Sequence, residues 1–382
     1  MSFIMLRQLL PFIIIAPPLI YGLISLWCGF SYFKRRKPEC ASFPPVTILK
    51  PVKGMDAESF ANFASFCCQD YPRFQMIFAV ASASDPAIPV IKRLMAEFPA
   101  VDLELVVDGR IHGPNYKVCN LINAFPRAKH DIIIVCDSDI RVGARYLQEV
   151  CALFSDPEVG LVTSLYRTSG VSGAACAIEA LGFTSEMVPN VMVALRLEGL
   201  SFALGASMAV RRGALERIGG FAALVDYLAD DYQLGNKVYR AGYRLELSDY
   251  YVESIMHRES LHNIMSRQLR WARTMRVSRP GGYFASGLTQ PFPAALLALV
   301  VSGFSLPGLT AVLLLYSFRA LVALIFSRFF VRDNILPRWL WLLPVRDFLA
   351  FATWALSFLG NRVSWRGHRF RLLPGGRIEE GR

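Results

Sequence analysis

Two long uncharged apolar stretches, one near each end of the chain, constrain its fold more than any other feature. Residues 8–33 carry no charge, and a helix needs about 20 apolar residues to cross a bilayer. Residues 280–318 are also uncharged, and Gly303 and Pro307 divide this region into segments at 287–303 and 307–326, the second of which contains Arg319. Because 54% of the residues are hydrophobic, the sequence predicts a membrane protein with a globular part.

A basic cluster, Lys-Arg-Arg-Lys at 34–37, follows the first stretch. A signal peptide carries its positive charge before the apolar run, so this cluster favours a retained anchor. The positive-inside rule then places the N-terminus outside and the chain after Lys37 in the cytosol. Pro11, Pro17 and Pro18 lie within the stretch and predict a kinked helix or several shorter pieces.

A third apolar segment, 339–360, contains Arg346 and Asp347. These charges either neutralise each other or mark an interfacial or re-entrant piece. The basic tail that follows favours the cytosol, and three full C-terminal crossings would place it outside. The predicted organisation is an anchor with its basic flank at 1–37, a cytosolic domain at 38–280, and a membrane region with two crossings, one interfacial or re-entrant segment and a basic tail at 281–382.

The net charge of +11 suits an anionic bilayer surface or substrates that carry phosphate. Nucleic acid is disfavoured as a partner, because the arginines crowd beside apolar segments and do not form one soluble basic face. The eight cysteines show no CxxC pair and no zinc spacing, which favours reduced, buried thiols.

The central part of the chain alternates between strand and helix patterns. Uninterrupted Val/Ile runs are typical of strands buried on both faces of a parallel sheet. Alternation of this kind predicts an α/β domain with an open sheet, wound like a nucleotide-binding fold, whose ligands bind at the carboxyl ends of the strands. The predicted strands are 46–49, 75–80, 102–107 and 131–136, and the predicted helices are 57–68, 87–97 and 117–124.

Two carboxylates, Asp137 and Asp139, follow the fourth predicted strand. Alternation along an extended backbone points both side chains the same way. Paired hard oxygen ligands suit Mg²⁺ or Mn²⁺ shared with a diphosphate. Asp-Ser-Asp is also common in turns, and the strongly apolar strand before it favours the metal interpretation.

Further polar residues follow the other predicted strands. Asp85 is placed to accept a hydrogen bond from a base or ribose, or to cap the helix that begins at Pro86, and both roles can coexist. Lys50, Lys53 and Lys117 are each able to reach a phosphate or a base. Each of these lysines, taken singly, is expected to be a solvated surface charge.

A second acidic pair, Asp230 and Asp231, lies later in the chain. Adjacent carboxylates repel each other and burial raises a carboxyl pKa, which helps a general base. The same residues suit the first turn of a helix, where Asp offsets the dipole. The two interpretations are compatible.

A basic-aromatic cluster comes last. Arg267, Arg270 and Trp271 share one face of a predicted helix. Arginine donates bidentate hydrogen bonds to a diphosphate, and Trp can stack on a sugar or close a site. The alternative is a helix at the bilayer interface, which better suits the arginines further along: Arg273, Arg276 and Arg279.

In their order, these motifs resemble the ceramide glucosyltransferases, glycosyltransferase family 21. The resemblance covers almost the whole chain, and the motifs are specific when taken together. They are Asp85, Asp137-Ser-Asp139, Asp230-Asp231 and Arg267-x-x-Arg270-Trp271, supported by Asn115–Leu121, Cys136–Val142, Gly219-Gly220 and Trp365–Phe370.

The resemblance implies a GT-A type domain, a UDP-sugar donor, a divalent cation (Mg²⁺ or Mn²⁺) and inversion at the anomeric carbon. By the same resemblance, Asp231 is the base, with Asp230 standing where the family often has Glu. The same motifs imply that Asp85 contacts the uridine and that Asp137 and Asp139 position the metal and the diphosphate. Arg267, Arg270 and Trp271 would hold the diphosphate and line the acceptor entrance. Lys117 is counted with the donor-binding residues because it can reach a phosphate or a base.

The segment Arg270–Tyr283 looks more like the bacterial branch, which includes hopanoid-associated glycosyltransferases. The predicted reaction moves glucose or N-acetylglucosamine to a membrane lipid hydroxyl, with ceramide, a hopanoid polyol or diacylglycerol as acceptor, at a bacterial inner membrane. Two alternatives stay open: a processive polysaccharide synthase, for which the apolar segments are few, and a catalytically silent membrane scaffold. The oligomeric state is left open.

Overall fold

A computed structural model describes residues 3–35, 43–56, 58–256 and 258–381. Arg36 and Lys37 of the predicted basic flank lie outside these residues. The α-helices are α1 (Phe3–Phe33), α2 (Ser59–Cys67), α3 (Ala87–Glu97), α4 (Tyr116–Ala124), α5 (Tyr146–Cys151), α6 (Ala174–Gly182), α7 (Val188–Glu198), α8 (Arg212–Arg217), α9 (Asp230–Arg240), α10 (Leu261–Ser278), α11 (Pro280–Ser286), α12 (Pro291–Ser302), α13 (Leu306–Ile325), α14 (Ile335–Trp339) and α15 (Leu343–Ser357).

Within the described residues, the strands form an eight-stranded sheet and a separate three-stranded sheet. The larger sheet has the order β3-β2-β1-β4-β7-β6-β8-β5. The strands are β1 (Val46–Val52), β2 (Phe74–Val80), β3 (Asp102–Val107), β4 (Ile132–Cys136), β5 (Ile140–Arg141), β6 (Val159–Ser169), β7 (Ser207–Arg211), β8 (Arg244–Ile255), β9 (Arg362–Trp365), β10 (His368–Leu372) and β11 (Ile378–Glu380).

The predicted α/β class is confirmed, with the four predicted strands as parallel neighbours. Strand β7 is antiparallel to both of its neighbours, so the sheet is mixed. Alternate residues of β1 enter different cores: Leu49 packs in the cluster of α4, and Ile48 in the cluster of α2 and α3. A strand buried on both faces needs a continuous apolar run, which explains the sequence pattern.

Helix α1 is continuous from Phe3 to Phe33 and contains all three prolines, so the expectation of shorter pieces is wrong. Close packing against neighbouring helices supports it. A side-chain carbon added at Gly22 would lie 2.6 Å from the Phe318 ring of α13. Proline removes some of the backbone hydrogen bonds of a helix, and packing against neighbouring helices can compensate for this loss.

Two helical segments in the part of the chain that the structure describes, Gln8–Phe33 and Leu306–Val331, are long and apolar enough to cross a membrane. A third span is possible if Pro280–Thr289 and Pro291–Ser302, which meet at a 50° bend, form one crossing. The predicted boundaries of the three regions, and the two C-terminal crossings, remain predictions.

Arg346 and Asp347 do not neutralise each other, contrary to one of the two expectations. Asp347 pairs with Arg319 at 3.0 Å, and Arg346 pairs with Glu186 at 2.6 Å. The two side chains are adjacent on α15 and point to different neighbours, because successive helical residues are about 100° apart around the axis.

The tail, predicted only as a basic segment, forms the antiparallel sheet β11-β10-β9. Its apolar side packs Phe370 and Ile378 against Leu228, just before α9. Backbone hydrogen bonds join the same parts: the amide of Leu228 donates to Gly376 at 3.4 Å, and that of Ile378 donates to Asp226 at 2.8 Å. The end of the chain therefore returns to the globular domain.

Candidate active site

The first acidic motif lies directly after β4, at the carboxyl edge of the large sheet, as predicted. The Asp139 carboxylate accepts a hydrogen bond from the Ser254 hydroxyl of β8 at 3.2 Å. The hydroxyl of Ser138 donates to the carboxylate of Asp56, which follows β1. Three elements of one sheet edge therefore hold this turn in place.

Lys117 joins the two acidic motifs. Its ammonium nitrogen lies 2.8 Å from Oδ1 of Asp137 and 3.3 Å from Oδ2 of Asp230. Burial alone would lower the pKa of Lys117, but the two carboxylates outweigh it and raise the pKa. With its side chain only 16% exposed, Lys117 is not the solvated charge expected of it singly.

Asn115 explains how Lys117 reaches both acids. Its carboxamide oxygen accepts from the Val118 amide at 3.1 Å and caps α4, while its nitrogen donates to the Tyr227 carbonyl at 2.7 Å. This second bond fixes the segment that leads into α9. The start of α9 is thereby held against the start of α4.

Lys50 is also buried, so its expected surface position is wrong. Its ammonium donates to the Asp137 carbonyl at 2.9 Å and lies 3.8 Å from the Phe66 ring centroid. Burial lowers its pKa, against the opposing effect of nearby acidic groups. This hydrogen bond from Lys50 stabilises the turn that carries Asp137 and Asp139. Lys53, in contrast, is exposed as expected.

Asp230 and Asp231 form the first turn of α9, which confirms the helix-dipole interpretation, while the general-base role remains a prediction. Asp230 is buried, whereas Asp231 is half-buried. Burial, followed by the charge of Asp230, raises the pKa of Asp231 to about 6. A side-chain carbon at Gly205 would come within 2.9 Å of Oδ2 of Asp231, so a larger residue at position 205 would displace this carboxylate.

Asp139 has a similar electrostatic environment. Burial, then the charges of Asp137 and Asp56, raise its pKa to about 6. Asp137 contributes to the raised pKa of both Asp139 and Asp231, so these carboxylates lie close together and form one acidic cleft. Such a site attracts cations.

Arg270 of α10 completes the cleft. Burial, then the neighbouring charge of Arg267, lower its pKa to about 10, while Asp231 acts in the opposite direction. Its guanidinium lies 5.9 Å from the ring centroids of both Trp271 and Trp365. In the described part of the chain it makes no ion pair, and it is therefore available to an anionic ligand.

Arg267 lies one turn earlier and is already paired. It binds the buried carboxylate of Glu179 and lies 3.1 Å from Glu259. Trp271 packs beside Cys176, Phe183 and Met256. The structure therefore brings Arg270 toward the acidic cleft and places Arg267 on other carboxylates. The predicted donor contacts of Arg267 and Trp271 remain predictions.

Asp85 accepts from the amides of Gly54 and Ala87, both at 2.9 Å. The predicted helix-capping role is confirmed, and the bond to Gly54 also ties the loop after β1 to the loop after β2. Its predicted contact with uridine remains a prediction.

Sequence reasoning missed several supporting residues. Asp56 and Ser254 both follow or end strands at the edge already identified, so the strand-end signal could have indicated them. Trp365 and Arg366 belong to a quoted motif that had no assigned role. Arg366 donates to the Lys53 carbonyl at 2.8 Å, which brings the β9–β10 turn to the cleft.

The residues present suit a divalent cation bound together with a diphosphate. The described residues contain no group of three or more metal-ligating side chains. Magnesium is commonly held by one or two carboxylates plus substrate phosphates, however. Asp137 and Asp139, at one sheet edge and with excess negative charge, supply such a pair.

Comparison with known proteins places this geometry in a family. The model of glycosyl transferase family 21 matches residues 10–378. The chain belongs to glycosyltransferase family 21. The prediction of a hexosyltransferase is confirmed at the level of this family, which the motifs had indicated from the sequence.

Relatives and a solved structure agree with this assignment. The chain is 26% identical to ceramide glucosyltransferase 3 of Caenorhabditis elegans over 94% of this chain and 82% of that protein. It is 37% identical to the ceramide glucosyltransferase of Candida albicans over 27% of this chain and 21% of that protein. A mannosyltransferase from Pyrobaculum calidifontis, solved with GDP-Man and Mn²⁺, has a TM-score of 0.62 at 19% identity, over 92% of this chain and 99% of that one. This last likeness supports the GT-A fold.

Proposed function

We propose that this family 21 enzyme transfers glucose or N-acetylglucosamine from a UDP-sugar to the hydroxyl of a membrane lipid, with inversion at the anomeric carbon. The observation that carries the proposal is the Lys117 bridge between Asp137 and Asp230. It joins a strand-end acidic turn suited to a donor diphosphate with an acidic helix start suited to a proton acceptor. Ceramide and a hopanoid polyol are the proposed acceptors.

Asp231 acts as the general base in this proposal. Its carboxylate takes the proton of the lipid hydroxyl while that oxygen forms a bond to the anomeric carbon. The bond from this carbon to the diphosphate oxygen breaks with its electron pair, and UDP leaves. A carboxyl pKa of about 6 suits this role, since the group is ionised near neutral pH and is still a stronger base than an ordinary carboxylate.

Arg270 stabilises the departing diphosphate with its unpaired guanidinium. Lys117 orients Asp137 and adds positive charge at the same place. A divalent cation, Mg²⁺ or Mn²⁺, held by Asp137 and Asp139, would supply electrostatic stabilisation of the diphosphate. The Mn²⁺ in the mannosyltransferase structure supports such an ion without deciding between the two. Arg267 holds α10 in position through Glu179.

The lipid acceptor enters from the membrane side of α10. Trp271 follows Arg270 directly, and the same chain continues into α11, whose Phe284 is exposed. An acceptor with its acyl chains in the bilayer would present its hydroxyl at this level. We place the catalytic domain on the cytosolic face of a bacterial inner membrane, following the basic residues after α1.

Purified protein tests the proposal directly. It is incubated in detergent with Mg²⁺ or Mn²⁺, radiolabelled UDP-glucose or UDP-N-acetylglucosamine, and ceramide, hopanoid polyol or diacylglycerol in turn. Label is expected in ceramide or the hopanoid polyol, and Asp231→Asn should abolish it while donor binding persists. Donor binding without transfer to any of the lipids would overturn the acceptor class, and absence of donor binding would overturn the reaction.

A further inference from the structure

A cavity of about 630 Å³ opens where α10 meets the end of α15 and the C-terminal sheet. It contains none of the residues assigned above to the reaction. Its lining consists of Arg273, Leu359, Gly360, Asn361, Arg362 and Arg371.

The cavity concentrates positive charge without compensation. Three of its six lining residues are arginines and none is acidic. Arg273, Arg362 and Arg371 form no ion pair with any of the residues that the structure describes, whereas Arg267 and Arg346 each bind glutamate. Like charges gathered around one cavity repel each other, so an anion bound between them would stabilise the arrangement.

Arg273 is held in a fixed position at the cavity wall. Its Nε is buried and has no hydrogen-bond partner among the described residues. One of its terminal nitrogens donates to the backbone carbonyl of Arg362, which fixes the guanidinium at the cavity wall. The guanidinium is therefore a fixed positive charge at this wall, next to the other two arginines.

The rim of the cavity is apolar on the side of α15. Leu359 is 77% exposed and Phe358 is 40% exposed. Basic and exposed apolar side chains therefore meet at one place, as they do where a protein contacts both the headgroups and the acyl chains of a bilayer.

We propose that Arg273, Arg362 and Arg371 form a binding site for the phosphate of an anionic phospholipid headgroup, with the acyl chains passing over Leu359. Arginine suits this ligand because its planar fork donates two parallel hydrogen bonds to phosphate oxygens. The lipid would bridge α10, which carries Arg270, and β9, which carries Trp365. The site is separate from the acceptor site and does not depend on the proposed reaction.

Lipid retention in a neutral detergent tests the proposal without reference to activity. Native mass spectrometry measures binding of phosphatidylglycerol and of phosphatidylcholine to the full-length protein. The test variant is R362Q/R371Q, in which two exposed cavity arginines are neutralised. The matched control, R338Q/R377Q, loses the same charge from exposed arginines that do not line the cavity.

The wild-type protein and R338Q/R377Q should retain phosphatidylglycerol in preference to phosphatidylcholine, and R362Q/R371Q should bind it about tenfold more weakly. Equal losses in both double variants would overturn the site in favour of general attraction to a basic protein. A large excess of inorganic phosphate should leave most of the lipid bound. If phosphate alone binds as tightly and displaces all the lipid, the cavity is a site for free phosphate and the lipid assignment is wrong.

To separate a folding defect from a loss of lipid binding, the thermal unfolding of R362Q/R371Q in detergent is compared with that of the control. Matching midpoints with a selective loss of phosphatidylglycerol uphold the proposal. Where the midpoint falls, R371Q alone is measured, since Arg371 is an exposed residue of β10. Unchanged lipid retention in a folded R371Q would then overturn the three-arginine site.

Discussion

Charge is balanced differently in two regions that meet at α10. In the catalytic cleft, Asp139 and Asp231 have their pKa values raised to about 6, and Arg270 has its pKa lowered to about 10. One turn away, Arg267 is held by Glu179 and Glu259. The cleft keeps charges in unfavourable surroundings, whereas the neighbouring cluster pairs its charges.

This difference separates binding and catalysis from stability. A carboxylate whose pKa is raised by folding opposes the folded state at neutral pH, but it accepts a proton more readily. A paired arginine gives little to a ligand, since its donors are already used. We therefore expect cleft substitutions to reduce activity with little loss of stability, and substitutions in the paired cluster to do the reverse.

The largest expected effect comes from Asp231→Asn. Loss of the general base should lower turnover by about 10²- to 10⁴-fold. The same change removes a carboxylate that resists ionisation in the folded protein. The free energy of unfolding at neutral pH should therefore rise by about 1 kcal/mol, after allowance for the partial exposure of this group. Steady-state kinetics and thermal unfolding in detergent measure the two effects.

Asp226→Asn is the matched control for this variant, because Asp226 is exposed and lies just before α9. It should change neither turnover nor unfolding appreciably. An Asp231→Asn protein that retained wild-type turnover would remove Asp231 from the base role, and one that unfolded much earlier would break the contrast between the two regions.

Arg270→Gln should produce the next largest loss of activity. The unpaired guanidinium is the proposed contact of the leaving diphosphate, and removing one such donor typically costs about 10²-fold in rate. The folded protein should be as stable as the wild type, since no partner carboxylate is left behind. Loss of kcat/KM together with weaker UDP binding by calorimetry would support the assignment. A normal UDP affinity and normal rate would contradict it.

Arg267→Gln should act mainly on stability. It leaves Glu179, with a side chain only 1% exposed, without its ion-pair partner. Breaking a buried pair in this way costs about 3 kcal/mol, which lowers the thermal midpoint. The double variant E179Q/R267Q removes both charges and should recover much of this loss. If Arg267→Gln instead weakened UDP binding at unchanged stability, Arg267 would belong with Arg270.

Much of the cleft was predictable because local patterns place it. The β-branched run of β4 fixes a buried strand, and the residues directly after such a strand lie at the ligand-binding edge of the sheet. That rule located Asp137 and Asp139. The helix-start pattern likewise located Asp230 and Asp231 at the first turn of α9, where the structure has them.

Other features depend on contacts between distant parts of the chain. The local sequence around Lys117 and around Lys50 predicts a surface charge at each position, because a lysine is almost never fully buried without a partner. Their partners come from other elements: carboxylates for Lys117, and the Asp137 carbonyl for Lys50. The pairing of Arg267 with α6 has the same origin. No periodicity within a single segment shows such a contact.

The pH dependence of turnover gives a smaller effect that separates the two raised carboxylates. A base must be ionised to act, so turnover should fall as the pH drops through about 6, by about tenfold for each further unit. Both Asp139 and Asp231 have a pKa of about 6. A divalent cation competes with the proton for Asp139. If protonation of Asp139 caused the loss of turnover, a higher metal concentration would therefore shift that loss to lower pH. At saturating donor and metal, we expect the midpoint of the fall in turnover to stay near pH 6, because Asp231 is the titrating group. If this midpoint instead moves with the metal concentration, Asp139 is the group whose protonation stops turnover.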